Sequence, residues 1–209
     1  TREDMRRYAS LIDQANAVGE RGPEFPPGTK FWYSDAGSDA LAAVVETIAG
    51  TTIGEVWRTE LFEPLGMSDT FVALDAGDPR FAGIAPLYAG RAGAWQRLWK
   101  PADGPYYPFA WGSQSAYGTA IDYAKFLAMW MDGGRAGGHG GAVLSPEAIA
   151  RTLAPASPMT MLGVEARMPT GFAGLEVRYG QMAVLHVPKD RPQDSKLQPP
   201  KVHTIGHSG

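Results

Sequence analysis

Helix-forming and strand-forming patterns occupy separate stretches of this chain. Apolar residues recur at three- and four-residue spacing through much of positions 5–66 and 119–152. Apart from a three-residue aromatic strand, Phe31-Trp32-Tyr33, strand-like sequence is confined to the region beyond 170. A parallel sheet requires strands and helices to alternate, so this segregation argues against one. The 209 residues suffice for one domain with a real core, or for a large part of a bigger one. With 44% hydrophobic and 20% charged residues the chain is globular. A formal charge of -3 without a Lys/Arg cluster argues against nucleic acid as a partner. No apolar run approaches the ~18 residues of a membrane span. The absence of cysteine excludes disulfides, thiolate metal sites and a cysteine nucleophile. It leaves the compartment open, and the localisation is unassigned. Thr1 opens on helical sequence without an initiator Met, so the true N-terminus is expected upstream.

Helix starts are marked by capping residues. Thr1-x-x-Asp4 predicts a first helix with Met5, Tyr8, Ala9 and Ile12 on one face. Leu41, Val44, Val45 and Ile48 predict the buried side of a second helix ending at Gly50. Thr52-x-x-Glu55 is a capping box opening a third, with Ile53, Val56, Trp57 and Leu61 inward. From 72 to 118 periodicity fades and nine Trp, Tyr and Phe side chains fall among Gly and Pro. This reads as a meandering wall over a cleft or as irregular aromatic packing. Thr119-x-x-Asp122 starts another helix with Tyr123, Phe126, Leu127 and Trp130 inward. Ser145-Pro146-Glu147 starts the last, with serine as cap and proline in the first turn. Leu175–His186 and Val202–Ile205 read as strands, separated by a Pro- and Lys-rich connection.

Two constellations carry chemistry. In Pro27-Gly28-Thr29-Lys30-Phe31-Trp32-Tyr33-Ser34-Asp35-Ala36-Gly37 a turn and a short strand deliver a phenol just ahead of a helix start. Such a phenol can act as a general base only if something lowers its pKa from about 10. The second constellation is Gly206-His207-Ser208-Gly209. A metal site is not expected: His139, His186, His203 and His207 form no helical i, i+4 pair and have no carboxylate at ligand spacing. His139 reads as a loop residue. No cofactor is expected.

The order of these features resembles the serine β-lactamase and penicillin-binding-protein superfamily, in its branch of esterases, peptidases and amide hydrolases. The resemblance runs nearly end to end. It takes in the Tyr33 motif with its flanks and Leu61-Phe62-Glu63-Pro64-Leu65-Gly66-Met67-Ser68-Asp69-Thr70. It continues through Ser115–Gly134, Leu144-Ser145-Pro146-Glu147 and Tyr179-Gly180 to a His-x-Gly version of the Lys-Thr-Gly strand at 207–209. It implies an α+β, β-lactamase-like fold, an antiparallel sheet flanked by helices plus a mainly helical subdomain, present here in part. Residues 1–170 would be mainly the helical part and 171–209 the return strands of the sheet. It further implies acyl transfer through a serine ester whose nucleophile lies in Ser-x-x-Lys. No serine here has a lysine three positions on. That segment is therefore expected upstream, and the 209 residues alone should be inactive.

By this resemblance Tyr33 is the base, its pKa lowered by the Ser-x-x-Lys ammonium. Asp35 stands where the family more often has asparagine, and His207 where lactamases have lysine. Ser208 and Gly209 would line the strand beside the acyl group. Trp111 and Tyr117 would line its pocket, with core packing the favoured alternative for both. An ionised Asp35 only accepts hydrogen bonds, and a largely neutral His207 holds a carboxylate poorly. Both departures favour ester or simple amide substrates over a β-lactam. Ser34 is expected to be structural, and Asp35 could also serve as a helix N-cap. Two other readings stay open. Ser208 could sit at the nucleophile elbow of an α/β-hydrolase, or the chain could be a non-catalytic lactamase-like scaffold. A fragment with unpaired strand edges also makes the remainder of its own fold a possible partner.

Overall fold

A computed structural model of the chain describes residues 5–27, 29, 34–137, 141–154, 175–180, 184–188 and 204–206. Its helices are α1 (Leu11–Arg21), α2 (Asp35–Ala49), α3 (Ile53–Trp57), α4 (Ala120–Met131) and α5 (Pro146–Thr152). The strands are β1 (Phe71–Val72), β2 (Leu87–Ala89), β3 (Gln96–Trp99), β4 (Ala116–Tyr117), β5 (Leu175–Tyr179), β6 (Val184–Pro188) and β7 (Thr204–Gly206). They divide between two compact units. The first comprises 1–22, 34–129 and 136–143, and the second 23–33, 130–135 and 144–209.

Polar caps start the helices of the first unit. Thr1 and Asp4 of the expected first cap lie outside the described residues; among those described, α1 begins after Ser10, whose Oγ accepts from Asp13 N at 3.1 Å, and a single 3₁₀ turn, Met5–Arg7, precedes it. Ser10 meets the N-cap requirement directly, so Met5 and Ile12 do not share one helical face. Thr52 caps α3, but the Glu55 carboxylate bonds Arg58 instead of closing the box. The neighbouring orphan N–H, that of Ile53, is taken by Glu46 Oε1 at 2.8 Å. Beyond α3 the chain widens into a π-helical turn, Arg58–Phe62.

The buried face of α2 also differs from expectation. Ala42 and Ala43 face inward with Asp39, whereas Leu41 and Val44 are each 53% exposed and Ile48 82%. The cause is a close approach. A side chain at Gly112 would run into Ser38 O and would bring a Cβ to 2.6 Å from Ala42 Cβ. Only small residues fit on that face of the helix. Leu11, Ala42, Ala43, Ile53 and Ala110 form the core there, with Val45, Val56 and Trp57 packed against it. Burying a side chain such as Leu11 or Ile53 contributes roughly 1.5–3 kcal/mol.

The aromatic stretch resolves into short pieces. β1 pairs antiparallel with β4, and β2 with β3. Phe71, Ala73, Phe81 and Trp99 make a second core, where Trp99 meets Phe81 and Tyr106 edge-on at 6.2 and 5.9 Å. In α4, Asp122 and Met129 are the fully buried residues. Tyr123 is half exposed, and Phe126, Leu127 and Trp130 are only half-buried. No single described helix is long and apolar enough to cross a membrane.

In the second unit Ser145 caps α5 through Ala148 N at 3.1 Å, with Pro146 in the first turn. β5, β6 and β7 form an antiparallel sheet in that order, with Tyr179 opposite Val184 and Leu185 opposite Ile205. His186 is a strand residue opposite Thr204. This antiparallel sheet is not the parallel one that a nucleophile elbow at Ser208 requires.

Candidate active site

Of the sequence-predicted site residues, Asp35, Trp111 and Tyr117 fall among the described residues. Tyr33, His207, Ser208 and Gly209 lie outside them, as does His139. The helix that follows Tyr33 is well defined. Ser34, in extended conformation, caps α2 by accepting from Gly37 N at 3.1 Å. The cap is thus Ser34, and Asp35 is the first helical residue, exposed at the positive end of a 15-residue helix.

A second carboxylate, Asp39, organises the first turns of α2. It is 2% exposed, and it accepts from Gln14 Nε2 at 3.1 Å and from Ser113 N at 2.9 Å. One buried side chain thereby ties α1 and the 110–115 loop to the helix that begins at Asp35. Burial pushes the Asp39 carboxyl above its ordinary value. The Ser113 and Gln14 hydrogen bonds offset part of that rise, and the Asp35 charge one turn earlier adds to it. Gln14 Oε1 is buried without a partner among the described residues.

This arrangement makes Asp39→Asn informative. With the Gln14 amide turned over, its free Oε1 accepts from the new Asn amide, while Asn Oδ1 still accepts from Ser113 N–H. The variant is expected to be about 1 kcal/mol more stable than the wild type at pH 7. For a carboxyl raised on folding, the native state binds more protons between the unfolded and folded pKa values, so stability falls as pH rises through that window. The advantage of Asp39→Asn should therefore disappear below the ordinary aspartate pKa. Urea denaturation at neutral and acid pH measures both.

The loop carrying Trp111 is locked at both ends. Ser115 Oγ accepts from Trp111 N at 2.9 Å and donates to Trp111 O at 3.3 Å. To do so Ser115 adopts φ 86°, the one positive φ of a non-glycine among the described residues. Trp111 is buried, its ring stacked on Phe109 at 6.0 Å and tilted against Tyr107 at 6.1 Å. Two residues beyond Ser115, on β4, Tyr117 lies on the wall of an open cavity of about 850 Å³ whose walls also include Phe71, Trp99, Tyr106 and Tyr107. Burial raises the Tyr117 phenol pKa, and Tyr106 adds to the effect. Of the two predicted pocket residues, Tyr117 borders this cavity and Trp111 does not.

Sequence reasoning missed two buried carboxylates, Asp39 and Asp122. Asp122, 1% exposed, accepts from Asp69 N at 2.8 Å, Thr70 Oγ1 at 3.0 Å and Lys125 Nζ at 2.7 Å, while Lys125 also reaches Gly66 O. Burial alone would raise its pKa. The Lys125, Asp69 and Thr70 hydrogen bonds together outweigh it and hold the carboxyl below the ordinary value.

Residues 2–209 match the family model described as Beta-lactamase. An unguisins hydrolase of Aspergillus campestris is 29% identical over 118 residues, 56% of this chain and 22% of that protein. A penicillin-binding protein from Bacillus halodurans is 21% identical with a TM-score of 0.58, covering 83% of this chain and 46% of that one. The simvastatin synthase of Aspergillus terreus is 18% identical with a TM-score of 0.58 and the same two coverages, 83% and 46%. The chain therefore spans 22% of the curated relative's length and under half of each solved structure. At these identities the two structures speak to the fold alone.

Proposed function

The chain belongs to the β-lactamase family and carries part of its α+β fold, and on that premise we propose that the whole protein is a serine hydrolase acting through an acyl-enzyme. The reading rests above all on a family match over 2–209 within which the Tyr33 and His207 motifs stand in the expected order. The nucleophile comes from a Ser-x-x-Lys segment, which is not found in these 209 residues. Tyr33 takes the serine proton as its oxygen attacks the acyl carbon, then returns that proton to the leaving group. The Ser-x-x-Lys ammonium stabilises the phenolate. Backbone N–H groups at the His207 strand stabilise the oxyanion.

The substrate is an ester or a simple amide. Asp35, unlike asparagine, cannot donate to an acylamino carbonyl, and a neutral His207 is a weak carboxylate anchor. That the curated relative is named as an unguisins hydrolase and one structural neighbour as a synthase fits a family position outside β-lactam hydrolysis.

The test is a panel run on the whole protein: 4-nitrophenyl acetate against a chromogenic cephalosporin, with intact-mass detection of the acyl adduct. The ester is expected to be favoured about tenfold or more in kcat/KM, the value of one lost hydrogen bond to substrate. Equal or faster cephalosporin turnover would sink the ester preference. Failure to find an acyl adduct on a serine would sink the mechanism.

A further inference from the structure

The 850 Å³ cavity falls within the size range of small-molecule sites. Its walls present rings from three separate segments: Phe71 before the meander, Trp99, Tyr106 and Tyr107 within it, and Tyr117 on β4. The polar groups at its edge are mostly committed. Gln114 Oε1 accepts from Tyr107 OH at 2.7 Å, and Ser115 is bonded to Trp111. The Arg80 guanidinium is held by Asp78 at 2.6 Å and donates to Ser68 O at 3.0 Å, so it is not free to receive an anion. Its charge also offsets that of Asp69 on the same wall. What remains for a ligand is aromatic and aliphatic surface, the exposed Asp69 side chain, and the Tyr106 and Tyr117 hydroxyls, which make no hydrogen bond among the described residues.

The cavity is mechanically continuous with the start of α2. The 110–115 loop presses Gly112 against Ser38 and Ala42 and bonds Asp39 through Ser113 N–H, then lines the cavity with Gln114 and Ser115. We propose that this cavity receives an uncharged, ring-bearing portion of the substrate's acyl group, so that the enzyme selects arylalkanoyl over acetyl esters. This rests on the serine-hydrolase reading for its catalytic consequence, though not for the binding itself.

The experiment uses the whole protein and two esters with one leaving group, 4-nitrophenyl 3-phenylpropanoate and 4-nitrophenyl acetate, so that their ratio isolates the acyl group. The phenylpropanoyl ester is expected to be favoured about tenfold or more in kcat/KM. Ala85→Trp fills the cavity from its exposed rim and should bring the ratio below about two, whatever it does to either rate alone. A wild-type ratio near one, or a ratio that survives Ala85→Trp, overturns the proposal.

A second arm decides the matter without turnover. Titration with 3-phenylpropanamide, followed by tryptophan fluorescence, should saturate in the wild type and not in Ala85→Trp. No saturable binding to the wild type, or tighter binding of phenethylammonium than of the amide, also overturns it. If neither ester is hydrolysed but the amide binds as stated, the hydrolase reading falls and the cavity assignment stands.

Discussion

Replacing Tyr33 by phenylalanine in the whole protein is expected to lower kcat for ester hydrolysis by about 10²–10⁴-fold, the range of a lost general base. KM should change far less, because in the proposed mechanism the phenol would act on the proton in flight and not on the bound ester. The α2 start is secured by Ser34 Oγ and Gly37 N–H, a bond that makes no use of the Tyr33 hydroxyl. The serine proton would have no acceptor in the variant, so acyl-enzyme formation and ester turnover should fall together. Stopped-flow release of 4-nitrophenol separates acylation from deacylation, and thermal unfolding checks that the variant is folded. Unchanged acylation in a folded Tyr33→Phe protein would remove Tyr33 from the mechanism.

The largest stability effect is expected at Asp122. Asp122→Ala leaves the Asp69 N–H and the Thr70 hydroxyl without their shared acceptor in a buried position, and it releases Lys125. The cost is about 3 kcal/mol at pH 7, that of breaking a buried charge-assisted network from one side. Its pH dependence has the opposite sign to that at Asp39. The Asp122 carboxyl is held below its unfolded value, so its contribution is complete above the ordinary aspartate range and is lost as the pH falls through the folded pKa. Urea midpoints for wild type and Asp122→Ala should therefore converge in acid. A constant gap from neutral to strongly acid pH would show that the loss is one of packing instead of charge.

What the sequence made legible was the chemistry of boundaries. Thr52, Thr119 and Ser145 each begin a helix, as their side chains require, and Ser34 proves to be the structural turn residue expected of it. The strands beyond 170 were readable from their apolar and β-branched residues, while their antiparallel pairing was implied only by the family resemblance. Burial was less legible, because it depends on what approaches a helix and not on the helix alone. Leu41, Val44 and Ile48 have the better apolar spacing, yet the close passage of Gly112 selects the alanine face of α2. The burial of Asp39 and Asp122 escaped notice for a related reason. A carboxylate on a helix reads as solvent-facing until the distant N–H groups that neutralise it are known. The aromatic meander could be seen only as aperiodic, since strands as short as β1 and β4, two residues each, leave no alternation to detect.

The same distances in sequence carry a kinetic consequence. Gln14 reaches Asp39 across 25 positions, Asp69 reaches Asp122 across 53, and Ser113 reaches Asp39 across 74. Each helix can assemble from local contacts and its own cap, while these braces wait for loops of increasing length to close. Interactions completed late in folding add little to the rate at which a chain folds and much to the barrier against its unfolding. Asp39 thus bears chiefly on how long the helix after Tyr33 and its neighbouring loop stay assembled, and Asp122 on how long the Asp69–Thr70 segment stays joined to α4, and much less on how fast either is made.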